Sequence, residues 1–172
     1  MLHARFVGIA LLGALVLATQ AGASNGKTRE VVERSTFEYA PSIDCSEFGP
    51  YDFDNEFSGR EKFSATDVYG DDGTLLQTVF HIRFDETDSN SKSGATLPLK
   101  GNVHEVWDYA SNTRTLTGIV FIGSVPGGGT YVQDTGRITI RLDTREVLFL
   151  AGPHQAFVAG GIDYPVCAAL AG

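Results

Sequence analysis

Leu76-Gln77-Thr78-Val79-Phe80-His81-Ile82-Arg83-Phe84 alternates residue by residue. Leu76, Thr78, Phe80, Ile82 and Phe84 fall on one side, and Gln77, Val79, His81 and Arg83 on the other. A period of two is the repeat of a β-strand, whose successive side chains point to opposite faces. The apolar side predicts a buried face and the mainly polar side a face turned to water. Asp71-Asp72-Gly73 just before it is a tight-turn signal. The stretch is therefore the second arm of a hairpin, and residues 53–65 are the first, expected to kink at Gly59.

The same grammar runs outward in both directions. Residues 31–39 alternate, and residues 41–50 form a loop carrying Cys45. Residues 85–95 are small, polar and charged, and read as a long hairpin loop. Residues 102–109 are a strand, turned by Ser111-Asn112-Thr113 into residues 114–122. Pro126-Gly127-Gly128-Gly129 breaks the pattern, and residues 130–142 resume it with a bend at Gly136. Asp143-Thr144 turns into residues 146–150, Ala151-Gly152-Pro153 ends that strand, and a short one follows at 155–158. The tail from 163 to 171 is expected to make one or two helical turns, with Asp163 as cap and Pro165 in the first turn. No helix is long enough for a crossover connection, so the strands pair antiparallel. The fold class is all-β: a meander of about eight strands closed as a barrel, which removes exposed edges. A two-sheet β-sandwich is the alternative.

The N-terminus sets the compartment. Met1 to Arg5 is short and basic, residues 6–17 are apolar, and Ala21-Gly22-Ala23 is a small-x-small cleavage site. Together they make a secretory signal peptide over 1–23. The apolar run is too short for a membrane span, which needs about 20 residues. Residues 24–30 are a flexible start, and 31–172 form one β domain. The protein is expected outside the cell, with no membrane association after cleavage. Net charge is −8, and loss of Arg5 with the signal makes it more negative, which argues against nucleic acid as a partner. Cys45 and Cys167 are the only cysteines, and in an exported chain two cysteines pair. Their bridge closes a loop of about 120 residues and is worth about 4–5 kcal/mol in the chain-entropy model.

Chemical motifs are sparse. Asp134-Thr135-Gly136 matches the core of aspartic proteases, but there is one copy, flanked by Gln133 and Arg137. His104-Glu105 begins a His-Glu-x-x-His pattern that fails at Asp108. Asp85, Glu86 and Asp88 lack the ligand spacing of a calcium loop. Gly127-Gly128-Gly129 lacks the lysine of a phosphate loop, and there is no Gly-x-Ser-x-Gly elbow. No cofactor or metal is expected. One strand face stands out: Val103, Glu105, Trp107 and Tyr109 lie on one side of residues 102–109. Facing inward, it places a carboxylate with a raised pKa beside aromatic rings, as a small-ligand pocket does. The candidate ligand-binding residues are Glu105, Trp107 and Tyr109, with His154, or His81, as the histidine that could join them.

Asp134-Thr135-Gly136-Arg137-Ile138, Glu146-Val147-Leu148-Phe149, Ala151-Gly152-Pro153-His154-Gln155 and Val166-Cys167-Ala168-Ala169-Leu170, with the signal peptide and Cys45, resemble a group of small secreted actinobacterial proteins. That group has no established activity, so the resemblance implies no catalytic residues. In broad architecture it is similar to the allene oxide cyclase and dirigent barrels, which implies a barrel and no function. Three functions follow as expectations: a secreted barrel binding a small apolar ligand, a cyclase- or isomerase-type barrel enzyme, or a structural protein with a filled core.

Overall fold

The computed structural model describes residues 27–125, 127–158 and 161–172. The expected signal peptide over 1–23, residues 24–26, Pro126 and residues 159–160 lie outside them, and Thr28–Glu30 of the expected loose start belong to a strand. Eight strands form one antiparallel sheet. They are β1 (Thr28–Tyr39), β2 (Ser42–Asp44), β3 (Asp54–Tyr69), β4 (Leu75–Asn90), β5 (Thr96–Asp108), β6 (Thr113–Val125), β7 (Gly129–Arg141) and β8 (Val147–Ala151). Two short helices close the chain, α1 (Gln155–Val158) and α2 (Asp163–Leu170). The strand order is β1-β3-β4-β5-β6-β7-β8, with β2 paired to β3.

The alternating stretch at 76–84 is the middle of β4, paired with β3 on one side and β5 on the other. The turn at Asp71-Asp72-Gly73 forms as expected, with Gly73 at φ 79° donating its N–H to Gly70. Exposure along β5 alternates from Thr96 to Val103 almost without exception. The inner face carries Leu97, Leu99, Val103 and Glu105; the outer face carries Lys100, Asn102 and His104.

The sheet is not closed into a barrel. β1 and β8 end the strand path, and no ladder joins them among the described residues. β8 is only five residues long, and β1 carries Arg29, Glu30, Glu33, Arg34 and Glu38. Charged edge strands resist pairing with another edge. The sandwich alternative is not formed either, because all eight strands belong to one sheet.

Three further segments differ from the sequence reading. β4 continues to Asn90, so residues 85–90 are strand and not loop, and Glu86, Asp88 and Asn90 are buried on the inner face. Gly59 marks no bulge, since the β3–β4 register runs through it unbroken. Glycine stands there because a Cβ would come within 2.7 Å of the Asp85 carbonyl oxygen and 2.9 Å of the Tyr39 hydroxyl. Residues 155–158 form helical α1, not a strand. The helical tail appears as α2, with Asp163 in its first turn and Ile162 in the capping position.

The main core sits at one end of the inner face. Leu97 and Leu99 of β5, Val132 of β7 and Phe53 pack against Ala156, Ile162, Val166 and Leu170. The Cys45–Cys167 disulfide lies in this cluster, with Cα atoms 5.7 Å apart. Asn90 Nδ2 donates to the Leu170 carbonyl at 3.2 Å and ties α2 to β4.

Candidate ligand-binding site

Among the described residues, no helix lies over the other end of the inner face. Cross-strand pairing sets Ala65 beside Phe80, Phe80 beside Glu105, and Glu105 beside Leu116. Along the same strands, Phe63 faces Ile82, and Trp107 faces Arg114. Phe63, Phe80, Ile82, Trp107 and Leu116 are all half-buried. Phe63 and Phe80 have ring centroids 5.8 Å apart, and Phe80 meets Trp107 edge-on at 5.5 Å. These spacings are those of favourable aromatic pairs.

Glu105 lies within this row, between Phe80 and Leu116, with 4% of its surface exposed. Arg114 grips it in a bidentate fork, Nε to Oε1 at 2.6 Å and Nη2 to Oε2 at 2.9 Å. Trp107 Nε1–H donates to Oε1 as well. The Arg114 guanidinium sits 6.0 Å from the centre of the Trp107 ring. Glu105 is thus not the isolated carboxylate in an apolar cavity that the strand pattern predicts. It is an ion-paired anchor that fixes Trp107 and Arg114, and such charge-assisted, bidentate bonds are both strong and directional. Removing a proton from a substrate is a poor role for a carboxylate so occupied.

Tyr109 lies just past β5 and is 40% exposed. Its hydroxyl is 3.1 Å from Thr78 Oγ1, and Thr78 also donates to Asp67 at 2.7 Å. Tyr109 therefore borders the open end, in reach of the same face as Glu105 and Trp107. His154 does not join them. Its Nδ1 is 2.8 Å from Asp134 Oδ1 and its Nε2 is 3.0 Å from the Ala151 carbonyl. Each ring nitrogen thus faces an oxygen atom. Asp134 Oδ2 also accepts from the Phe157 amide at 3.0 Å. This buried pair latches α1 onto β7, and explains Asp134-Thr135-Gly136 without catalysis. Gly136 itself sits at φ 125°, where a Cβ would collide with the Ala151 carbonyl oxygen. His81 is on the outer face, exposed, and its ring packs tilted against His104 with centroids 4.7 Å apart.

A second polar cluster lies on the inner face nearer the core. Asn55 Nδ2 donates to Asp88 Oδ1 at 2.6 Å. Tyr39 hydrogen-bonds Glu86, and burial together with that carboxylate pushes the Tyr39 hydroxyl far above its usual pKa. Burial, with Asp88 and Glu86 nearby, pushes Tyr131 up in the same way. Sequence patterning misses the cluster because acidic residues at inner positions break the hydrophobic period. The signal available was register: the strict alternation of residues 76–84, continued, puts Glu86 and Asp88 inside. A shallow, open depression of about 580 Å³ on the nearby rim is lined by Glu38, Tyr39, Ala40, Ser58, Gly59, Asp85 and Thr87. Among the described residues, no group of three or more His, Cys, Asp or Glu side chains is placed to hold a metal ion, and no helix is long and apolar enough to cross a membrane.

No family model, no curated protein and no solved structure matches this chain.

Proposed function

We propose that the protein is a secreted binding module that takes a small, largely apolar ligand on the open end of its inner face, over Phe63, Phe80 and Trp107. The observation that carries this reading is the half-buried aromatic row set around the Glu105–Arg114 ion pair. Small-molecule sites combine mostly apolar lining with a few placed polar groups. Arg114 uses one N–H each of Nε and Nη2 on Glu105, which leaves three N–H groups, two of them on Nη1, to donate to acceptors on the ligand. Secretion is supported by the N-terminal sequence pattern and by the disulfide, which an oxidising compartment permits. The reading takes the sheet as a barrel left unclosed between β1 and β8, with the gap as the ligand's way in.

The cyclase or isomerase alternative has less support. The groups that acid–base work needs are already engaged, Glu105 by Arg114 and Trp107, and His154 by Asp134 and Ala151. A structural protein with a filled core fits the capped end better than the open one.

Trp107 is the sole tryptophan, so its emission reports on the site directly. Titration with 1-anilinonaphthalene-8-sulfonate or a medium-chain fatty acid should shift that emission saturably, and Phe80→Asp should abolish the shift. An emission spectrum that stays constant up to the solubility limit of both probes would overturn the reading.

A further inference from the structure

The outer face of the sheet carries a band of positive charge on an acidic protein. Register places Arg34, Ser64, His81, His104, Thr117 and Arg137 side by side across six strands. The next rung holds Thr36, Lys62, Arg83, Asn102, Ile119 and Thr135. Neither rung contains a carboxylate. Arg34, Lys62, His81, Arg83, His104 and Arg137 are all exposed. None of the six forms an ion pair among the described residues. Six strands at about 4.8 Å spacing make a band about 24 Å long, and the two rungs lie about 7 Å apart. Such unpaired cations, gathered on one face of a chain with net charge −8, are an electrostatic footprint for a polyanion.

We infer that this band binds a linear anionic polysaccharide lying across the strands. Three features favour that partner. The cations are interleaved with Ser64, Thr36, Thr117, Thr135 and Asn102, whose hydroxyl and amide groups suit sugar hydroxyls. The rungs hold no Phe, Tyr or Trp, and one exposed ring, Phe149 under Arg137, borders them, too few for the row of rings on which single-stranded nucleic acid stacks. The strongly negative remainder of the protein repels a wide polyanion such as duplex DNA and tolerates a narrow one confined to the band. The inference goes beyond ligand binding on the inner face and is independent of it.

Binding strengthens as pH falls, because His104 gains charge in the band, with His81 beside it. Their charged surroundings are Arg34 and Glu38 on β1, Arg60 and Lys62 on β3, Arg83 and Asp85 on β4, Lys100 and Asp108 on β5, and Arg137 on β7. Of the acids, Glu38 is paired with Arg60, and Asp85 and Asp108 lie outside both rungs.

The test is calorimetric titration of the purified, disulfide-bonded protein with heparin, polygalacturonate, neutral dextran and a single-stranded oligodeoxynucleotide, at pH 5.5 and 7.5 and at several salt concentrations. Expected are binding of at least one anionic glycan, an affinity that falls linearly on a log–log plot against salt, and a loss of about tenfold or more in Lys62→Glu/Arg83→Glu. Arg145→Asn, in the exposed β7–β8 turn where φ is already 59°, should bind as the parent does. Circular dichroism confirms that each variant is folded, and Lys62→Ser/Arg83→Ser serves if the charge reversal is not. Binding of neither glycan at low salt, equal binding of dextran, tighter binding of the oligonucleotide, or unchanged affinity in the folded variant would overturn the inference.

Discussion

The two ends of the inner face are built from the same strands and have opposite fates. At one end, Leu97, Leu99 and Val132 are buried under Ile162, Val166 and Leu170, and the disulfide holds the cover down. At the other, Phe63, Phe80, Trp107 and Leu116 stay half-exposed around the buried Ala65, Val103, Ile138 and Glu105, with no helix of the described residues over them. Strand alternation fixes which side chains face inward along the whole length. What decides burial of the large aromatic side chains is whether the tail reaches that far, and among the described residues it covers one end only. The covered end is a folding core, and the uncovered end is where a ligand can substitute for the missing chain.

Removing the clasp is the most severe way to break this contrast. Cys45→Ala/Cys167→Ala should lose about 4–5 kcal/mol in denaturant unfolding, since the bridge closes most of the domain. A loss below about 1 kcal/mol would mean that the tail is held without it. Next in size is the latch under α1. Asp134→Ala strands a buried His154 and frees the Phe157 amide, and should cost about 3–5 kcal/mol. At the open end, Glu105→Ala leaves Arg114 unpaired, but Arg114 is partly exposed, so the cost should be about 2–3 kcal/mol. Trp107→Leu should lose about 1–2 kcal/mol of stability and nearly all probe binding. Equal losses of binding from Asp134→Ala and Trp107→Leu, with both proteins folded, would erase the distinction between the ends.

The smallest effects follow pH. Tyr39 and Tyr131 hold their protons more tightly in the folded protein than in the unfolded chain. Stability from these two groups is fully present below about pH 10 and is lost as pH rises past it. Ultraviolet titration should show two of the six tyrosines ionising only with unfolding. On the acid side, burial and the neighbouring His81 lower the pKa of His104. The unfolded chain then takes up the proton first, so stability is present above about pH 6.5 and declines modestly below it. His104→Gln should flatten that decline in melting temperature.

Much of the sheet was legible in residues, and the reasons for the rest are physical. The β4 alternation, the Asp71-Asp72-Gly73 turn, the helical tail and the Cys45–Cys167 pairing could all be read from local spacing and chemistry. Residues 85–90 could not, because Glu86 and Asp88 occupy inner positions where a hydrophobic count expects apolar ones. The partner of Glu105 was within reach: Asn112 at φ 54° sets the hairpin, and counting back pairs Asp108 with Thr113 and Trp107 with Arg114. The place of His154 is not legible from spacing, because its partner Asp134 is twenty residues away and meets it only through the β7 register. The open edges at β1 and β8 follow from strand length and charge rather than from strand number.

The most direct test is a two-dimensional NMR titration of the uniformly ¹⁵N-labelled protein with an apolar probe, following the single indole N–H of Trp107 alongside backbone amides at both ends of the inner face. The account predicts saturable shifts at Trp107 Nε1–H, Phe80 and Leu116, with Leu99, Val132 and Val166 unmoved. Shifts centred on Leu99, Val132 and Val166, with the Trp107 indole unchanged, would contradict it.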